Sequence, residues 1–514
     1  MQRDTALTFG DIHGSLEAFQ ASVDEIQRLA MVFEPDSMAS FQAGANGVPS
    51  FTRLKEATND HSRNFRLRHL VPHEKPMSIP GRQAPPNTGR EIQIHLRLTD
   101  LSEYVHSQPY VAVSYTWDHV KSHKFEDGDD PLPEYYIWTG EHAYRPAKCH
   151  VEVLHRAMRF AAAKLPQPRI WIDQECIEQD NPDDLENHLQ IMHKIYSESS
   201  FTVAVLSSTI STQGLVDVLD AFLHQDPATL PFAFGTIDPN RQAREFQLAE
   251  AKLRALDPLD LGRWQNLCPG VARDYLAISN PEEHQKLLNT LDIYLILRRV
   301  QRTFDYISQD RWFKRTWTFQ EKHCGSRLHF LIPIGTAIQS KRLERIGGDI
   351  CLEKLFLSRK MWRWSDHSWE STRGLANLLE NHFALPPYEP QGTLPPHSQA
   401  ALRTGSSSNQ TFFGAMQKTH QAMETCDNLV VADRIAIFAS VNNFPTRLKS
   451  TLLNRERYSY STCILTLALK NSGWFVTHTL ELQQPWGLLN MTLEEALINL
   501  EYYSGYMNWT VPGW

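Results

Sequence analysis

No run of consecutive apolar residues in the 514-residue chain approaches the roughly 18 that a membrane-spanning helix needs. The chain also starts without the charged-then-apolar pattern of a secretory leader. A membrane span is therefore not expected, and the reading is a soluble, cytoplasmic protein. Cysteine is scarce. The seven cysteines are odd in number, widely scattered and never arranged as Cys-x-x-Cys, which excludes a disulfide framework or a zinc ribbon and suits reduced thiols. Positive charge is in deficit: 51 Lys and Arg face 59 Asp and Glu, a net charge of −8 that argues against a nucleic-acid partner, since phosphate contacts need clustered cations. In a cytoplasmic protein the Asn-x-Thr strings at Asn409, Asn490 and Asn508 carry no glycosylation meaning.

What is present suits a globular protein: 41% hydrophobic residues over a length sufficient for two to four domains. Leu16, Phe19, Val23, Ile26 and Leu29 follow helical spacing and predict an amphipathic helix near the start. Pro72 to Pro86 reads as a linker or extended wrap. Past it, Ile92 to Leu96 alternates as a half-buried strand would. Val111 to Ser114 and Ile170 to Asp173 are short apolar runs of the kind buried in a parallel sheet, with a helix-like Val151 to Ala163 between them. Asp183-Asp184-Leu185-Glu186 reads as a variant capping box with Asp183 at the cap. The helix it opens aligns Leu185, Leu189, Met192 and Tyr196 on one face, and Phe201 to Leu206 supplies another strand. This alternation predicts an α/β fold with a parallel sheet flanked by helices.

Three segments are expected from this organisation. Residues 1–89 form an N-terminal helical and extended segment with its Pro-rich linker. Residues 90–335 form the α/β domain, including a helical insertion at about 211–300 in which Asn280-Pro281 starts a helix with Leu287, Leu291 and Leu295 in a stripe. Residues 336–514 form a mixed C-terminal extension, with a Pro- and Ser-rich loop at about 386–409.

Three strings stand out within the second segment: Tyr110-Val111-Ala112-Val113-Ser114-Tyr115-Thr116-Trp117, Ile170-Trp171-Ile172-Asp173-Gln174-Glu175-Cys176-Ile177-Glu178-Gln179, and Arg311-Trp312-Phe313-Lys314-Arg315-Thr316-Trp317-Thr318-Phe319-Gln320-Glu321. In order and internal spacing they resemble the heterokaryon-incompatibility (HET) domain of filamentous fungi. Asp118 stands where that family usually has Gly, and Glu175 where a small residue is common. Downstream, Cys426-Asp427 and Ala432-Asp433-Arg434-Ile435 resemble the short Asp-Arg segment that often follows such a domain. The resemblance implies a TIR-like fold and a role in non-self recognition or programmed cell death. It implies as partner either a second copy of the chain or another incompatibility protein. Several TIR domains cleave NAD at the nicotinamide–ribose bond through a Glu placed four residues after a Trp. Trp317 and Glu321 have that spacing, so the resemblance makes Glu321 the candidate catalytic residue and NAD a substrate, with no cofactor.

The chemistry needs negative charge beside an oxocarbenium-like ribose, and one carboxylate supplies it. Asp173, at the end of a strand, and Ser114, Tyr115 and Trp117, at the end of another, are placed where open α/β sheets bind ligands. Trp317 shares a helix face with Glu321, where its indole would shield the carboxylate or stack on a flat ring, and Arg315 offers a fork of donors to a phosphate or carboxylate. A structural alternative stands beside each: Trp312, Trp317 and Phe319 as core, the aromatics at the strand end as packing, Asp173 as a helix cap, Glu321 paired with Arg315 or Lys322.

No metal is expected. Phe9-Gly10-Asp11-Ile12-His13-Gly14 matches the first metal-binding string of calcineurin-like phosphatases, but the further strings that complete such a centre do not occur. His119 and His123 are four apart without a partner pattern of Glu or Cys.

Overall fold

A computed structural model describes residues 3–32, 66–73, 93–105, 108–119, 132–139, 144–224, 299–325, 327–340, 342–354, 357, 412–424, 426–427, 430–442, 444–453, 458–472 and 487–506. The expected helix around Leu287, the Pro- and Ser-rich loop and most of the Pro-rich linker lie outside these residues.

The strands are β1 (Ala30–Val32), β2 (Leu70–Pro72), β3 (Gln93–Leu98), β4 (Val111–Ser114), β5 (Glu134–Trp138), β6 (Tyr144–Pro146), β7 (Ile170–Trp171), β8 (Phe201–Val205), β9 (Leu328–Ile332), β10 (Arg345–Ile346), β11 (Asp349–Glu353) and β12 (Thr446–Leu448). Ten of them form one sheet in the order β10-β11-β9-β8-β4-β7-β2-β3-β5-β6. The centre, β9-β8-β4-β7, is parallel, and in it β4 lies between β7 and β8. All four residues of β4 are buried, because both faces of a central parallel strand are covered by crossover helices.

The expectation of a parallel sheet throughout is corrected: the sheet is mixed. β2 runs antiparallel to both β7 and β3, β5 pairs antiparallel with β6, and β11 pairs antiparallel with β9 and β10. The departure is physical. Parallel neighbours need a long crossover, whereas a two-residue turn produces an antiparallel pair. Ile346 pairs with Asp349 around Gly347 and Gly348, whose φ values of 62° and 91° are those of a tight hairpin turn.

The helices used below are α1 (Phe9–His13), α2 (Leu16–Arg28), α3 (Val151–Lys164), α4 (Asp173–Cys176), α5 (Pro182–Glu198), α6 (Gln213–His224), α7 (Thr316–Cys324), α8 (Phe412–Glu424), α9 (Val431–Val441), α10 (Tyr460–Ser472) and α11 (Leu493–Tyr506). α5 starts one turn-fraction earlier than its sequence suggested. Asn181 caps it, accepting from the amides of Asp183 and Asp184, with Pro182 in the first turn. Glu186 is not a cap partner. It is buried and accepts from the amide and hydroxyl of Ser450 (3.1 and 3.0 Å).

A second core contains both ends of the chain. Phe9, Phe19, Val23 and Ile26 of α1 and α2 pack with Met416, Ile435, Phe438, Ile464 and Leu497 of the C-terminal helices, and β1 pairs antiparallel with β12. Within the metallophosphatase-like string, Phe9 is buried in this core and Ile12 packs against it. Asp11 closes a capping box with Thr8, and His13 Nε2 lies 2.8 Å from Thr462 Oγ1. α5 and α7 lie between the sheet and the second core. Buried Arg447 spans the junction, donating to the Gln190 carbonyl and to Ser440 Oγ. The six described cysteines are free thiols, and among the described residues no helix is long and apolar enough to cross a membrane.

Candidate active site

The carboxyl ends of β4 and β7 deliver Ser114 and Asp173, and α7 brings Glu321 against them. Helix α7 is set from two sides. Its third residue, Thr318, folds its hydroxyl back onto the Arg315 carbonyl (2.7 Å). Its amino end is closed by the C-terminal extension: the Thr316 amide donates to the Asp427 carbonyl (3.1 Å) and the Asp427 amide to the Lys314 carbonyl (2.6 Å). Phe319 then faces the second core while Glu321 faces the sheet.

Glu321 is 8% exposed. Ser114 donates its hydroxyl to the Glu321 carboxylate, and the Trp312 indole N–H donates to Ser114 Oγ at 2.6 Å. The chain Trp312 to Ser114 to Glu321 thus points donors toward the carboxylate and favours its charged form. Burial acts the other way and is stronger, with the Asp173 charge adding to it. Together they push the Glu321 carboxyl up to about 7, against the pull of Ser114, Arg315 and Tyr196.

Asp173 is half-buried and accepts from the Tyr115 hydroxyl (2.9 Å), the Trp117 indole N–H (2.7 Å) and the Gln174 amide (2.7 Å). Burial raises its carboxyl even so. Tyr115 is buried, whereas the Trp117 ring is 50% exposed and forms the outer wall. Arg315, half-buried, reaches the Tyr115 carbonyl at 3.5 Å.

Ser114, Tyr115, Trp117, Asp173, Arg315 and Glu321 therefore converge. Trp317 does not shield the carboxylate as its spacing suggested. Its indole N–H turns outward to Asp433 Oδ2 (3.2 Å) on α9, because that face of α7 meets the second core. Trp312, expected only as core, takes the place beside the site; its position in the third string was the available signal. Glu321 likewise bonds Ser114, not Lys322, and Arg315 acts on it through charge. The two departures within the strings have partners. Asp118 pairs with Arg311, tying the first string to the third. Glu175 is buried, accepting from the Lys148 and Cys149 amides and pairing with Arg145 (2.7 Å).

The Ser114 link is open to test. Ser114→Ala removes the bond that holds the Glu321 carboxyl down, so the pKa of Glu321, followed by carboxyl NMR, should move above the wild-type value. It also leaves the buried Trp312 N–H without its acceptor, at a stability cost of about 1–3 kcal/mol readable in urea unfolding.

The fold and this carboxylate pair define an α/β domain with its polar site at the carboxyl edge of a parallel sheet core. Residues 110–321 match the model of the family described as heterokaryon incompatibility protein (HET), so this stretch of the chain is a HET domain. No curated protein and no solved structure matches it.

Proposed function

We propose that this protein acts in heterokaryon incompatibility and that its HET domain cleaves NAD at the nicotinamide–ribose bond, with Glu321 as the catalytic carboxylate in a TIR-like arrangement. The observation that carries the reading is a buried Glu held at about 7 beside a second carboxylate, Asp173, at the edge where ligands of α/β sheets bind. An ionisable group kept under such desolvation is unfavourable for the fold, and active sites are where such groups concentrate.

In this reading the C1′–N bond breaks with its electron pair leaving on nicotinamide, which departs neutral. The ionised Glu321 faces the positive charge that develops on the ribose, and water then adds at C1′ with loss of a proton. Trp117 supplies an exposed indole for stacking, and Arg315 a guanidinium for the pyrophosphate. Trp117→Ala should then raise KM for NAD several-fold, with kcat and melting temperature little changed. An unchanged KM would remove Trp117 from the substrate site.

Purified protein incubated with NAD should release nicotinamide and ADP-ribose in equal amounts, read by chromatography. No release, either dilute or at concentrations that drive assembly, would overturn the enzymatic reading. The alternative is then a module that transmits its signal by associating with copies of itself or with a partner, without chemistry.

A further inference from the structure

Beyond the carboxylate pair, the same edge of the sheet carries a second cluster. His119 follows β4 in the chain, His150 is the residue before α3, and Glu152 sits in the first turn of α3. One ligand atom from each lies within 4.8 Å of the other two. His119 Nε2 and Glu152 Oε1 are 3.4 Å apart, close to the roughly 3.3 Å expected of two atoms that share a tetrahedral ion at about 2 Å each. The His119 and His150 rings lie with centroids 5.1 Å apart and planes tilted by 48°.

We propose that His119, His150 and Glu152 bind one divalent transition-metal ion of the zinc class, with a fourth position left for water or a ligand. Two imidazoles and a carboxylate are the donor set that borderline dications prefer, and three protein ligands leave an open position. A second observation supports the assignment. The other nitrogen of His119, Nδ1, is held by Ser207 Oγ at 2.9 Å, the outer contact that orients a metal-binding imidazole. Ser207 is fixed in turn, its amide donating to Asp310 Oδ2 at 2.7 Å.

Arg156 is compatible with a cation here. Its short bonds go to Asp349 (2.7 Å) and to the Leu206 and Leu331 carbonyls (2.7 and 3.0 Å), and its contact with Glu152 is the longest, at 3.3 Å. His119 and Glu152 are buried, whereas His150 is half-buried and marks the side from which an ion enters. The inference does not rest on NAD cleavage.

The test uses full-length protein stripped with chelator and titrated with Co2+, whose visible bands report tetrahedral coordination. Wild-type protein should bind about one equivalent with such bands, lose them to added Zn2+, and melt at higher temperature with Zn2+ present. His150→Ala should weaken Co2+ binding by at least about tenfold with its far-ultraviolet circular dichroism unchanged. Ser207→Ala should weaken it on the order of 10-fold through His119. His150 is chosen because a half-buried residue is the member least needed by the core. Wild-type protein without bands or a melting shift, or a His150→Ala variant that binds as wild type does, would overturn the proposal.

Discussion

Glu321→Gln should reduce kcat/KM for nicotinamide release by on the order of 10²–10³-fold, the usual effect of deleting one preorganised electrostatic contact to a developing charge. Gln keeps the size of the side chain and an oxygen to accept the Ser114 hydroxyl, so the site's packing persists. Stability should move in the opposite direction. Folding raises the Glu321 carboxyl from its ordinary 4.5 to about 7. The native state therefore holds this proton more tightly than the unfolded chain, and wild-type stability from this group falls as pH rises from 4.5 to 7, then stays level. Over that window the loss is about 3 kcal/mol. Gln does not titrate, so the variant should gain on wild type by about that amount between pH 4.5 and pH 8 in urea unfolding. Lost activity with gained relative stability at alkaline pH is the signature of a residue kept for function. A variant that instead unfolds more easily at every pH would assign Glu321 a structural role.

The largest stability effect is expected at Arg156. Its guanidinium joins α3 to the carbonyls of Leu206 and Leu331 and to the carboxylate of Asp349, all buried. Arg156→Met retains much of the volume but strands Asp349, and Glu152 with it, at a cost of about 3–5 kcal/mol. Urea unfolding near neutral pH should show a clearly lower midpoint. A midpoint equal to wild type would mean that water or neighbouring groups replace the guanidinium.

The parallel centre of the sheet was legible because its strands are buried on both faces, so Val111 to Ser114 and Phe201 to Leu206 read as mostly apolar runs without a polar alternation. The flanking strands were less so. β2 is three residues long and ends on Pro72, which had read as the start of a linker. α2 was legible from its period, but α5 was misplaced at its start because Asp183 and Asn181 are both competent caps, and Pro182 in the first turn decides between them. The carboxylate pair was legible through the three strings, which bring Ser114, Asp173 and Glu321 together. Trp317 and Trp312 exchanged places since helical spacing fixes which residues share a face but not which neighbour that face meets. The partners of His119 were invisible to spacing: His150 and Glu152 lie more than 30 residues away, with a strand pair between. The closure of α7 by Asp427 is a backbone contact, which no side-chain pattern records.

The most direct test of the central claim is the pH dependence of nicotinamide release by the wild-type protein. If ionised Glu321 supports the reaction, kcat/KM should be low at pH 5, climb tenfold per unit and reach half its plateau near pH 7, where the buried carboxyl titrates. A rate that is half-maximal near pH 4.5, that falls across neutrality, or that is absent at every pH would contradict the account.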